Sequence, residues 1–273
     1  INWDDSHGRT LAGGLPAKVF RFSLGEGVEV YPKNFQNQWH GLKMDVQSPA
    51  GLLKIASPLV GSFNAANILA AVAAGVAMEI PPEKIQEGVQ GFHGVPGRLE
   101  QIPNKQGFKV FVDYAHTPDA LENVLRTLRA LNPKKIITVF GCGGNRDRLK
   151  RPLMGKAVDR LSDVVIVTSD NSRDEEPGAI IADIVKGIER EKDFYKIVDR
   201  KEAIAQAIAL ATRSDCVLIA GKGHETYQEI GGVKSPFDDR EVVRGILGTA
   251  DDGRTDGRGR DLPSIERSGN QRG

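Results

Sequence analysis

Cysteine, net charge and long apolar runs are all scarce in this 273-residue chain. Its two cysteines, Cys142 and Cys216, form neither a disulfide framework nor a metal-ligand spacing, and no leader-like stretch precedes them. The expected setting is therefore a reducing cytoplasm, with no metal site built from this chain. A formal net charge of +1 leaves no basic excess to follow a phosphate backbone, and no Lys/Arg stripe is interleaved with aromatics, which are only 6% of the residues. Nucleic acid is excluded as an expected partner. The longest apolar stretch, Ile68 to Met78, falls well short of the ~20 residues of a membrane span and reads as a buried helix. A Gly-Lys-Ser/Thr ending is also missing from the one loop that resembles a phosphate cradle, Gly141 to Gly144, as is the spacing of a dinucleotide fingerprint.

What remains, at 40% hydrophobic and 27% charged residues, is ordinary globular composition with room for two cores. Short β-branched and aromatic runs at Lys18–Leu24, Val28–Tyr31 and Gly51–Ala56 predict antiparallel strands. A helix is predicted over Asn64–Met78 and another after Pro81-Pro82, where proline suits the first turn. Gly94-Val95-Pro96-Gly97 punctuates the chain and marks a domain boundary. Beyond it, strands at Lys109–Asp113, Lys135–Phe140, Asp163–Thr168, near Ile197 and at Cys216–Ala220 alternate with five helices, the last from Asp239. That alternation predicts a parallel sheet covered on both faces, Rossmann-like in architecture. Residues 248 to 273, with six Gly and five Arg and almost nothing apolar, are expected to be disordered. The opening Ile1-Asn2-Trp3-Asp4-Asp5 reads as a strand end without its strand, so a preceding amino-terminal part is expected.

Three short polar runs sit just after strand-like stretches: Gly141 to Asp147, Asp170 to Arg173 and Gly221 to Glu225. In an open α/β sheet ligands bind outside the carboxyl ends of the strands, so these runs can converge on one small molecule. Arg146 and Arg173 can each fork onto a carboxylate and Glu225 can hold an ammonium, which suits a zwitterionic amino acid with an extra carboxylate. The same residues also allow a plainer account: Asp170, Asn171 and Ser172 are turn formers, and Lys222, His224 and Glu225 can pair among themselves. Asn64 and Asn67 either cap and turn the chain or present a carboxamide to an adenine edge. Arg98 either neutralises a nucleotide phosphate or forms an inter-domain ion pair. Asp113, at a strand end, accepts from ribose hydroxyls or caps a helix, and His116 beside it is a ligand or a packed imidazole.

In their order, Gly61–Asn67, Val95–Glu100, Asp113–Pro118, Gly141–Pro152, Asp170–Pro177, Gly221–Gln228 and Phe237–Glu241 resemble the carboxyl-terminal part of a Mur ligase. The resemblance covers the chain to about Leu247. It implies residues 1–96 as the end of a central ATP-binding domain, 97–247 as a Rossmann-like amino-acid-binding domain and 248–273 as a tail. It implies ATP- and Mg2+-dependent addition of the third amino acid to UDP-N-acetylmuramoyl-L-alanyl-D-glutamate through an acyl phosphate. Asn64, Asn67, Asp113 and His116 would then serve the nucleotide, with Arg98 catalytic at the phosphates. Arg146, Asp170, Asn171, Ser172, Arg173, Gly221 and Glu225 would hold the amino acid. Members that add meso-diaminopimelate carry Asp-Asn-Pro-Arg where this chain has Asp-Asn-Ser-Arg, and L-lysine lacks the distal carboxylate that Arg173 would meet. The implied partners are small molecules, with no nucleic acid and no membrane insertion, bound by a monomer. Ser172 in place of proline is expected to loosen the turn that aims Arg173, and Asn145 stands where the family commonly has Asp. The Gly-rich phosphate loop, the Mg2+ ligands and a carbamylated lysine lie upstream in the family, so this chain alone is expected to be inactive. An L-lysine-adding ligase, a folylpolyglutamate synthase or a non-catalytic amino-acid-binding fragment are the competing readings.

Overall fold

A computed structural model describes residues 1–190 and 193–248; the expected tail lies, apart from Gly248, outside the described residues. The first layer opens with α1 (Ser6–Ala12), capped by Asp5, whose carboxylate accepts from the His7 amide. Three strands follow as an antiparallel meander: β1 (Tyr31–Gln38), β2 (Gly41–Ser48) and β3 (Gly51–Ser57). Alternation along β2 and β3 puts Leu42, Met44, Val46, Leu53 and Ile55 on one face. That face is covered by α2 (Ser62–Ala77), through Ala65, Ile68, Leu69 and Val72, and by Ile85 of α3 (Pro82–Gln90).

Two expected strands differ here. Lys18–Leu24 and Val28–Val30 form only single bridges, Asn2 with Phe22 and Phe22 with Val30, both parallel and not antiparallel as expected, because the Gly25-Glu26-Gly27 turn cuts both runs short; Tyr31 instead opens β1. The ladder lies downstream, in β1 and β2. Asn64 does not cap α2, which begins at Ser62 behind Gly61; its amide donates instead to the Val60 carbonyl at 2.8 Å.

The second layer begins with β4 (Glu100–Ile102) and β5 (Lys109–Asp113), then α4 (Pro118–Arg129), β6 (Ile136–Phe140), α5 (Lys150–Leu161), β7 (Val164–Val167) and α6 (Pro177–Val185). It continues through β8 (Phe194–Lys196), α7 (Arg200–Leu210), β9 (Cys216–Ala220), the hairpin β10 (Tyr227–Ile230) and β11 (Val233–Pro236), and α8 (Asp239–Leu247). The sheet order is β4-β5-β9-β6-β7-β8, with only β4 antiparallel to its neighbour. Strands β6, β7 and β9 are buried along their whole length, as two covered faces require.

Helices α4, α5 and α6 cover one face, where Leu121, Leu125, Leu128, Val158 and Ile184 pack on Phe111 and Phe140. Helices α7 and α8 cover the other, through Ala203, Ile204, Ala207 and Val243 on Val110, Ile137 and Ile219. Each fully buried Leu or Ile contributes roughly 1.5–3 kcal/mol, so these two clusters fix which way the strands run and where their carboxyl ends emerge. α5 starts ahead of Pro152, and α6 stops at Val185, where Gly187 turns so closely past Pro152 that a Cβ would lie 1.8 Å from its carbonyl oxygen.

Candidate active site

Because β9 lies between β5 and β6, and β6 beside β7, the carboxyl ends of four strands stand in a row. Asp113 is level with Ala220, Val139 with Ile219 and Phe140 with Val167. The segments leaving them surround a cavity of about 540 Å³. Six residues singled out in the sequence line it: Arg146, Asp170, Asn171, Arg173, Gly221 and Glu225. His116 reaches its rim. Ser172 does not line it: fully buried, it lies beneath Gly144, where a Cβ would meet the Ser172 carbonyl oxygen at 1.9 Å. Its hydroxyl has no hydrogen-bond partner among the described residues.

Arg173 adopts a left-handed backbone (φ 51°), held by its amide donating to the Glu229 carbonyl at 3.0 Å. Its Nη1 donates to the Gly144 carbonyl at 2.7 Å and the Asn171 carbonyl at 3.4 Å, while Nη2 has no protein acceptor among the described residues. Arg146 is exposed and forms no ion pair among the described residues. The Asp170 carboxylate accepts from the Asn171 amide at 2.5 Å and rests against Gly221, where a Cβ would come within 2.7 Å of it. Asn171 is tied on both sides: its Oδ1 accepts from Lys222 Nζ (3.1 Å) and the Glu229 amide (3.0 Å), and its Nδ2 donates to Glu225 Oε2 (2.8 Å).

Two buried arginines brace the floor. Arg151 donates to both oxygens of Glu175 and to Asp183, and Glu175 in turn accepts from the Asn145 amide at 2.6 Å, which fixes the Gly143–Asn145 loop. Arg151 holds the Glu175 carboxyl down at about 2. The Asn145 side chain donates to Asp174 at 2.7 Å, a contact that an aspartate there would turn into repulsion. Arg200 forms a bidentate pair with Asp239 and donates to the carbonyls of Ser169 and Ala220, the residues just past β7 and at the end of β9. The Cys142 thiol faces the same cavity, but burial pushes it up to about 12, so it is no nucleophile at neutral pH.

Asn64, Asn67 and Arg98 line a second, mainly apolar cavity of about 740 Å³ beside α2 and α3. The Asn64 amide is spent on Val60, and its oxygen accepts from Asn67 at 3.4 Å, leaving the Asn67 oxygen without a donor among the described residues. The Arg98 guanidinium lies 4.5 Å from the Tyr114 ring, and that ring packs against His116 (4.5 Å) and His224 (5.1 Å). His116 Nδ1 donates to the Tyr114 carbonyl at 2.7 Å, which leaves Nε2 as an outward acceptor. Asp113 lines neither cavity; it accepts from the amides of Leu99 (2.6 Å) and Ala115 (2.7 Å). Burial raises its pKa against those two hydrogen bonds. Among the described residues the Asn67 oxygen has no donor and the Arg98 guanidinium no carboxylate partner, and with the outward nitrogen of His116 they are groups a nucleotide's base, ribose and phosphates can use.

Sequence reasoning passed over Tyr114, Arg151 and the Arg200–Asp239 pair. A charged residue near a helix start carries the same local signal whether it is solvated or, as with Arg151, 2% exposed. Among the described residues no cluster of His, Cys, Asp and Glu could hold a metal ion, and no helix is long and apolar enough to cross a membrane.

Two family profiles match the chain: the Mur ligase middle domain over residues 1–75 and the Mur ligase glutamate ligase domain over residues 97–223. The chain belongs to the Mur ligase family. The UDP-N-acetylmuramoyl-L-alanyl-D-glutamate--2,6-diaminopimelate ligase of Thermosynechococcus vestitus is 47% identical over 90% of this chain and 50% of its own. The ligase of that name from Lawsonia intracellularis is 48% identical over 90% of this chain and 52% of its own. A solved structure of a ligase of the same name superposes with a TM-score of 0.68 at 40% identity, over 91% of this chain and 52% of that one. The chain thus spans about half the length of the relatives it matches.

Proposed function

We propose that this chain carries the amino-acid half of an ATP-dependent ligase that adds meso-diaminopimelate to UDP-N-acetylmuramoyl-L-alanyl-D-glutamate in peptidoglycan synthesis. The observation that carries the reading is the 540 Å³ cavity, where Arg146 forms no ion pair among the described residues, Arg173 has only a long 3.9 Å ion pair from Nε to Glu229 and keeps Nη2 without a protein acceptor among them, and Asp170 and Glu225 offer carboxylates. A molecule with an ammonium and a carboxylate at each end matches that set. L-lysine would leave one guanidinium facing nothing, a mismatch of about 1–3 kcal/mol. The names of the relatives in Thermosynechococcus and Lawsonia support the same substrate.

In this reading Asn67, oriented by Asn64, and His116 serve the nucleotide, Asp113 serves it by holding the Leu99 and Ala115 amides that flank Arg98 and His116, and Arg98, held on the Tyr114 face, meets its phosphates. Ser172 and Gly221 shape the amino-acid cavity without touching its charge. Bound ATP with Mg2+ would supply the phosphoryl group that activates the substrate carboxylate as an acyl phosphate, with the metal's ligands outside this chain. The chain's own work is to orient the incoming amine: Glu225 and Asp170 hold the ammonium of the end that does not react and Arg146 and Arg173 the carboxylates, leaving the other amine, without its proton, to form the amide bond as phosphate leaves. The protein is proposed to act as a cytoplasmic monomer on small molecules, with 1–96 and 97–247 as its two units here.

The test joins this chain to the preceding half of a curated relative and measures phosphate release from ATP with UDP-N-acetylmuramoyl-L-alanyl-D-glutamate. Release with meso-diaminopimelate and not with L-lysine is expected. Release with L-lysine alone would make this the lysine-adding ligase. No release with either would leave a non-catalytic amino-acid-binding protein.

A further inference from the structure

Lys222 is fully buried, yet its ammonium reaches two side chains that line the amino-acid cavity. Nζ donates to Asn171 Oδ1 and Glu225 Oε2, each at 3.1 Å, and lies 5.5 Å from the Tyr227 ring. Asn171 closes the triangle with its own bond to Glu225 Oε2 at 2.8 Å. Glu225 Oε2 is therefore occupied twice from inside the protein, and Oε1 has no protein donor among the described residues. The carboxylate is turned so that one oxygen is anchored and the other is offered to the cavity. On its other side the Asn171 oxygen takes the Glu229 amide, and the Glu229 carbonyl takes the Arg173 amide at 3.0 Å.

We infer that Lys222 is a positioning residue for the amino-acid ligand: one buried ammonium sets the carboxylate that meets the ligand's ammonium and, through Asn171 and the Glu229 backbone, the turn that aims Arg173. Packing alone does not account for it. Burying a lysine costs desolvation of its charge that an apolar residue of the same length avoids. What the lysine adds is a charge-assisted link between the ends of β9 and β7, two strands that are not neighbours in the sheet. The inference rests on reading this cavity as the amino-acid site, so its test includes a measurement that needs no ligand.

In the 273-residue chain, Lys222→Met is expected to weaken meso-diaminopimelate binding, read by titration calorimetry, at least tenfold. The double variant Lys222→Met/Glu225→Gln, which removes both members of the pair, is expected to regain melting temperature but not affinity. Without ligand, the Asn171 side-chain amide protons should exchange slowly in the wild type and at least tenfold faster in Lys222→Met. Affinity within twofold of wild type in Lys222→Met, or an affinity that recovers with melting temperature in the double variant, would overturn the positioning role. If the wild type binds no meso-diaminopimelate, the proposed function fails, and the Asn171 exchange rates alone decide the inference: unchanged exchange sinks it. Should Lys222→Met not fold, Lys222→Gln is measured in the same way, with the same expected losses and the same overturning results.

Discussion

Gly97 and Gly223 meet backbone to backbone, so closely that a Cβ on Gly97 would sit 2.1 Å from both the Gly223 carbonyl carbon and the His224 nitrogen. Both residues have positive φ, +67° and +53°. The contact joins the linker that precedes Arg98 to the loop that carries Lys222 and Glu225, so the two cavities share one tightly packed seam.

Gly97→Ala is expected to cost clearly more stability than Gly231→Ala. Gly231 also has positive φ, +58°, but nothing lies within 4 Å of its missing Cβ, so alanine there pays only the left-handed cost of about 1–2 kcal/mol. Gly97→Ala adds a backbone clash that no side-chain rotation relieves. Urea unfolding of both variants checks this, and equal losses would show that the seam is not interlocked.

Arg173→Ala in the ligase of full relatives' length is expected to raise the half-saturating meso-diaminopimelate concentration by tenfold or more, with that of ATP changed less than twofold. Loss of a charge-assisted pair of about 1.5–3 kcal/mol sets that scale. The two Nη1 bonds to the carbonyls of Gly144 and Asn171 belong to the fold and not to the ligand, so a fall in melting temperature is also expected. Steady-state kinetics separates the two effects; equal rises for both substrates would assign Arg173 to structure alone.

Much of the second layer was legible because its signals are local. β5 and β9 match the expected Lys109–Asp113 and Cys216–Ala220 to the residue, since apolar runs bounded by polar turns leave little choice. β1 was not, because Pro32-Lys33-Asn34-Phe35-Gln36 has low strand propensity and its ladder with β2 is broken by a register shift between Lys33 and Gln36, although β2 itself alternates at Leu42, Met44 and Val46. The hairpin of β10 and β11 hid in a polar stretch. At the site, the local Lys222–Glu225 pair is among those the sequence allows, but the long-range partners are not legible there: whether Lys222 faces Asn171, or Arg151 faces Glu175, is settled by how the strand ends are brought together, and strand order is a long-range property.

The buried Arg200–Asp239 pair gives a different kind of prediction, since its strength shows only when one partner is removed. Arg200→Met leaves the Asp239 carboxyl fully buried and without its fork of hydrogen bonds, a loss of about 3–5 kcal/mol. Arg200→Met/Asp239→Leu removes the stranded carboxyl and is expected to be more stable than the single variant. It should still fall short of the wild type, because the Ser169 and Ala220 carbonyls lose their donor. Guanidinium unfolding of the two variants checks the order, and a double variant less stable than the single one would show that Arg200 acts only through those carbonyls.

Glu175 ties acid sensitivity to the Gly143–Asn145 loop. The hydrogen bonds from Arg151, with that from the Asn145 amide, lower its pKa from 4.5 to about 2 in the folded chain, while the unfolded chain keeps the ordinary value. A lowered folded value means that the unfolded state binds the proton more readily below pH 4.5. The stabilisation is therefore complete above about pH 5, shrinks as pH falls through 4.5, and is gone below about 2. Glu175→Gln should unfold at lower urea than the wild type at pH 7, and the gap between the two should close steadily as pH is lowered from 5 towards 3. A gap that stays constant over that range would mean that the Glu175 charge is not what Arg151 holds in place.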